Sequence, residues 1–220
     1  MENRNGIAPR MASLALLAAA IAFHAPAAWA TPRPACATDQ EKQAARKGAA
    51  EFPGAPVAIG SRFLGMKEFT FASALPRDVS IGAWITGDAV ADLWKSIDAW
   101  GKDTMVRVVI SPQSEHAFSL YGKVPTTQSV ADPGYLDVYA DEGRGIHSHI
   151  QLDKVAAVYA TDLPAEDPTR RTRGINFYDR HGHNIIGVYA SIMLYEPDPA
   201  AIAGFERTRA LIEKMPRACP

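Results

Sequence analysis

Apolar residues recur along this chain with two different periods. From Asp88 to Trp100, Val90, Leu93, Trp94 and Ile97 follow the i, i+3, i+4, i+7 spacing of one helix face. A helix is predicted there, with Asp88 capping its start and Gly101 ending it. A second helix is predicted over Pro199–Met215, with Asp198 as N-cap before a proline at the first helical position. Ile202, Phe205, Ile212 and Met215 would line its buried side. A short polar, alanine-rich helix is expected over Asp39–Lys47, stopped by Gly48.

Between these helices the period drops toward two. Strands are predicted over Val79–Ile85, Thr104–Ile110, His116–Tyr121, Gly134–Ala140, Gly145–Leu152, Lys154–Ala160, Gly174–Asp179 and Asn184–Ala190. Short connections rich in Gly, Pro and Asp separate most of them, which favours hairpins and an antiparallel sheet. Phe69 and Phe71 also alternate like a strand, inside a stretch punctuated by Pro53, Gly54, Pro56, Gly60 and Gly65. Helices at both ends of a strand run point to an α+β domain.

The first thirty residues read differently. Arg4 and Arg10 precede an apolar run from Ala12 to Phe23, and Ala28-Trp29-Ala30 has the small-x-small pattern of a cleavage site. This is the pattern of a secretory signal peptide, 1–30, with a single domain over 31–220. The run is short for a membrane span, so no stable membrane insertion is expected after cleavage. A periplasmic or secreted location follows. Export would also permit a disulfide between the two cysteines, Cys36 and Cys219, near the ends of the mature chain.

Composition then narrows the function. A net charge of −1 and 21% charged residues give no basic footprint for nucleic acid. There is no G-x-S-x-G elbow, so nucleophilic catalysis has little support, and there is no P-loop or dinucleotide glycine fingerprint. Arg107, Arg144 and the Arg170-Arg171-x-Arg173 group could meet an anion such as a propionate, although an exposed loop explains the last group more simply. Trp84, Trp94 and Trp100 read as core. His181 and His183 flank Gly182 in a turn-like sequence, and His116 begins a strand.

The remaining histidines carry more. On a strand, His147 and His149 share a face with Gln151, while Ile146 and Ile150 mark the other as the core side. On the preceding strand Tyr135, Asp137 and Tyr139 share one face and Leu136, Val138 and Ala140 the other. With Asp141–Arg144 as the hairpin turn, either Tyr139 faces His147 and Asp137 faces His149, or a two-residue slip puts Asp137 opposite His147. Either register gathers two imidazoles, a carboxylate and up to two phenols. Such a face is a solvated surface, a ligand-facing cluster or a mononuclear metal site.

From Asp92 to about residue 190 the chain resembles the bacterial haem-utilisation carriers, the HutX/ChuX/HemS-like family. The resemblance lies in the order of five segments: Leu93-Trp94 to Trp100-Gly101, Phe118 to Pro125, Gly134-Tyr135-Leu136-Asp137-Val138, Gly145 to Ile150, and Phe177 to Gly182. It implies a large, mostly antiparallel sheet with flanking helices, often in a homodimer. It also implies haem as cofactor or cargo. The family's Gly-His-Ile histidine matches His149, which becomes the first candidate axial ligand to haem iron, with Tyr135 or Tyr139 second. Asp137 would orient His149, and His147 would be a second ligand or a pocket wall.

The expected function is periplasmic binding or trafficking of haem or a related tetrapyrrole. The alternatives are an accessory protein binding another small molecule or a protein partner on the same fold, and a metal-dependent or haem-degrading enzyme.

Overall fold

The computed structural model describes residues 33–127 and 132–220, so the signal-peptide reading lies outside the described residues. Three helices come first: α1 (Asp39–Glu51), α2 (Val57–Phe63) and α3 (Glu68–Ala74). Strand β1 (Ser80–Trp84), helix α4 (Asp88–Asp98) and strands β2 (Met105–Ile110) and β3 (Phe118–Lys123) follow. A small antiparallel sheet holds β4 (Thr126–Thr127), β5 (Tyr135–Tyr139) and β6 (His147–Gln151) in that order. The long strands β7 (Val155–Pro164), β8 (Arg171–Asp179) and β9 (Asn184–Ser191) precede helix α5 (Pro199–Ile212). They complete a six-stranded, wholly antiparallel sheet in the order β1-β7-β8-β9-β2-β3.

Strands β7 to β9 are buried along nearly their whole length, so both faces of this sheet need cover. One face packs under α4, α5 and the small sheet. Trp94, Ile97, Val106, Val108, Phe177, Val188 and Phe205 meet Leu136, Val138, Ile146 and Ile150 there. The other face carries α1–α3, where Phe69 packs against Trp84, Tyr159 and Tyr178 with ring centroids 5.5–5.8 Å apart. Burial pushes the phenols of Tyr159, Tyr178 and Tyr189 up, so these core tyrosines stay neutral.

Several expectations are corrected. Phe69 and Phe71 lie on a helix, because the helix lets Phe69 enter the aromatic cluster while Phe71 meets Gly60 of α2. Helix α1 runs through Gly48, which is buried; a Cβ there would meet the Leu64 side chain at 2.9 Å. Asp88 is the first residue of α4 rather than its cap, that place falling to Gly87 at φ +60°. The Arg170–Arg173 group belongs largely to β8, where Asp162 of the paired strand β7 receives Arg171 at 2.5 Å and Arg173 at 3.2 Å. His116 lies exposed ahead of β3. Helix α5 starts as expected: Asp198 accepts from the Ala200 N–H at 2.8 Å.

Two tryptophans are core residues with satisfied indole N–H groups. Trp94 donates to the Pro125 carbonyl and Trp100 to the Thr208 hydroxyl. Trp84 is half-buried at the rim, stacked on Phe69. Among the described residues, no helix is long and apolar enough to cross a membrane. Cys36 and Cys219 form a disulfide across a sequence separation of 183.

Two stability predictions follow from this packing. Gly82 faces Tyr159 across β1 and β7, and a Cβ at Gly82 would meet that ring at 2.2 Å. Gly82→Ala should therefore cost about 1–3 kcal/mol. Thermal unfolding checks it at roughly 2–4 °C of Tm per kcal/mol. Closing so long a loop stabilises by at most about 5 kcal/mol. Unfolding with and without reductant should show a clear loss of Tm on reduction, and coincident curves would remove the disulfide from the stability account.

Candidate functional site

The β5–β6 hairpin takes the first of the two expected registers. Tyr139 pairs with His147, Asp137 with His149 and Tyr135 with Gln151. The local cause is the alternation itself. Leu136, Val138, Ala140, Ile146 and Ile150 enter the core, which sends the other side chains outward. The turn at Asp141–Gly143 closes the hairpin.

That outward face brings together His147, His149, Asp137 and Tyr139. Asp137 Oδ1 lies 2.5 Å from His149 Nδ1. The Asp137 residue is only 5% exposed, while the His149 side chain is 47% exposed. A carboxylate accepts and cannot donate, so Nδ1 is the donor, and in the neutral ring the lone pair is on Nε2. A carboxylate held against one ring nitrogen fixes the tautomer and orientation of the imidazole. The His147 ring stacks on Tyr139 at 4.0 Å and lies 4.6 Å from His149. Tyr135 stands exposed at the far end of the pair.

Asp132 joins this face from the turn before β5. One ligand atom each from Asp132, Asp137 and His149 lie within 4.8 Å of one another. In the sequence, Asp132-Pro133-Gly134 carries only a turn signal, so nothing there marks Asp132 as a ligand. A polar cavity of about 280 Å³ lies beside Tyr139 and the β5–β6 turn, lined by Lys123 but not by Asp132, Asp137, His147 or His149. Lys123 bridges Asp141 and Asp103 there, and its hydrogen bond to Asp141 is the main cause that raises its pKa.

A second candidate surface lies on the opposite side of the large sheet. Between α2, the end of α1, strands β2 and β3 and the segment after β9 runs a groove of about 710 Å³. Phe52, Ile59, Phe63, Ile192, Leu194 and Tyr195 line it, with Arg107 on its floor. Phe52 and Phe63 stack at 4.1 Å. The Arg107 guanidinium lies 3.8 Å from the Tyr195 ring centre and 5.0 Å from that of Tyr121. Among the described residues it has no carboxylate partner. Phe52, Phe63, Leu194 and Tyr195 are all more than 40% exposed. So large an apolar patch on a surface marks a binding region.

The sequence reading missed this groove. Its lining comes from five separate stretches of chain, and α2 shows no full apolar period. Only Arg107 stood among the candidates.

His181 and His183 occupy the β8–β9 turn, whose Asp179 carboxylate accepts from both their backbone N–H groups. His183 Nδ1 is also 2.8 Å from Ser114 Oγ, and the hydroxyls of Ser111 and Ser114 donate to the buried Glu68 carboxylate.

A model of the family described as "Haem utilisation ChuX/HutX" matches residues 83–207. A solved protein of Erwinia carotovora superposes with TM-score 0.59 at 16% identity, covering 80% of this chain and 99% of its own. The haem-binding protein ChuX gives 0.56 at 12% identity, covering 79% and 99%. Apo-PhuS, a haem-binding protein from Pseudomonas aeruginosa, gives 0.56 at 14%, covering 83% of this chain and 49% of its own. No functionally curated protein matches the sequence.

The hairpin predicts a measurable proton position. Nitrogen NMR of neutral His149 should find the proton on Nδ1. Asp137→Leu, which removes the acceptor, should shift the ring toward the Nε2–H tautomer usual in solution. An unchanged tautomer would mean that Asp137 does not orient the ring.

Proposed function

The chain belongs to the haem-utilisation ChuX/HutX family, and we propose that it binds haem or a related tetrapyrrole and carries it outside the cytoplasm. The observation that carries this reading is the groove above the sheet. A macrocycle needs a broad apolar seat and cationic partners for its propionates. The groove offers aromatic walls, a volume of about 710 Å³ and the Arg107 guanidinium. The haem-binding descriptions of ChuX and PhuS support the same cargo.

The His149 face is the second reading, favoured by its donor chemistry. Neutral imidazole held by a buried carboxylate is a good axial ligand, and Tyr139 and Tyr135 offer flat contacts or a phenolate. His147 would serve there as a second ligand or as a wall. Export is supported by the leader-like first thirty residues and by the Cys36–Cys219 bridge, since disulfides persist in oxidising compartments. Edge strand β3 leaves Phe118, Leu120 and Tyr121 exposed, which favours a homodimer.

A haem titration followed in the Soret band tests the proposal. Wild type should show a saturable shift near one haem per chain. Phe63→Glu, at an exposed position, places a charge in the groove and should weaken binding by roughly tenfold or more. Loss in Phe63→Glu with retention in His149→Ala assigns the groove; the reverse assigns the histidine face. No saturable shift in wild type overturns tetrapyrrole binding.

A further inference from the structure

We infer that Asp132, Asp137 and His149 form a site for a first-row divalent cation of the zinc class, separate from the apolar groove. The three side chains converge from two elements, the turn before β5 and the β5–β6 pair. They supply one imidazole and two carboxylates, a donor set suited to such cations. Asp137 is the anchor. Its carboxylate is buried, so its direction is set by the hairpin, and His149 stands directly opposite it.

Two adjustments are required. The ion must replace the proton between His149 Nδ1 and Asp137 Oδ1, so that this 2.5 Å pair opens to ligand spacing as the proton leaves to solvent, and Asp132 must close in. Ligand atoms around zinc sit about 2.0–2.2 Å from the metal, hence roughly 3.4 Å from one another in a tetrahedron. The ligand atoms already lie within 4.8 Å. Closing the gap takes about 1–1.5 Å, well within the reach of the exposed Asp132 side chain. The alternative is a simple His149–Asp137 pair with Asp132 standing in solvent. That alternative gives Asp132 no role, so Asp132 separates the two.

Three protein ligands leave at least one position for water or for an external donor such as a carboxylate or imidazole. His147, with its ring 4.6 Å from that of His149, is a neighbouring imidazole outside the three-residue cluster.

The test uses the metal-stripped protein without haem, so it is independent of the tetrapyrrole reading and of which surface takes the macrocycle. Zinc affinity is measured by competition with a chromogenic chelator, and cobalt(II) is added as a spectroscopic probe. The expected result is one equivalent bound, with visible cobalt absorption characteristic of low coordination. Asp132→Asn, which lies on the surface and leaves the core intact, should weaken zinc by about tenfold or more, and His149→Ala should do at least as much. The His181→Ala, His183→Ala double variant should bind like wild type. The proposal is overturned by the absence of saturable binding, by full affinity in either Asp132→Asn or His149→Ala, or by a loss confined to the His181/His183 variant.

Discussion

Strands β7, β8 and β9 bury almost every residue they contain, and an antiparallel sheet apolar on both faces is stable only when both are covered. The rest of the chain is divided by that need. Helices α4 and α5 and the small sheet take one face; α1, α2 and α3 take the other. The disulfide ties Cys36, just ahead of α1, to Cys219, just beyond α5. It therefore holds the N-terminal helical cover to the segment that ends the chain. Crossed ring contacts do similar work inside the second layer. Gly82 and Gly174 give up their side chains so that the rings of Tyr159 and Tyr189 can lie across neighbouring strands.

Covering both faces also creates the two candidate surfaces. The small sheet spends its apolar side on the core, so its polar side has to face outward with whatever side chains alternate there. In β5 and β6 those are tyrosines, histidines and Asp137. On the other face, α1–α3 cover β1, β7 and β8 closely. Over β2 and β3 their cover leaves the groove. Arg107 and Tyr195 close part of that gap by stacking, yet several large apolar side chains remain in solvent.

The strand faces were legible because burial imposes a period of two. Leu136, Val138, Ile146 and Ile150 mark the core side without ambiguity, and the register that pairs Asp137 with His149 was one of only two compatible with that pattern. Family resemblance located the same histidine by a separate route. The N-terminal third was less legible. Two phenylalanines two apart fit a strand as well as a short helix packed on both sides, and only tertiary contact decides between them. Gly48 looked like a helix stop because its reason for being glycine, the approach of Leu64, comes from a different segment. The arginines of β8 looked like a loop because Asp162, which offsets their charge, is supplied by the neighbouring strand.

The six-stranded sheet also limits what the two surfaces can do together. Arg107 and Tyr189 lie on the α1–α3 side of the sheet, whereas the small sheet packs on the α4–α5 side and points His149 away from both. A single macrocycle in one chain cannot touch both. Apolar area and propionate charge are therefore available on one side, and nitrogen and carboxylate donors on the other. If cargo sits in the groove, the Asp132–Asp137–His149 cluster is left open to a different, smaller and harder ligand, which is the chemistry its donor set favours. If iron takes His149 instead, the macrocycle lies on an open, aromatic but largely polar face, and its apolar area must be covered by something other than this chain's groove. The division of donors between the two faces thus makes two separate ligands the more economical use of this fold.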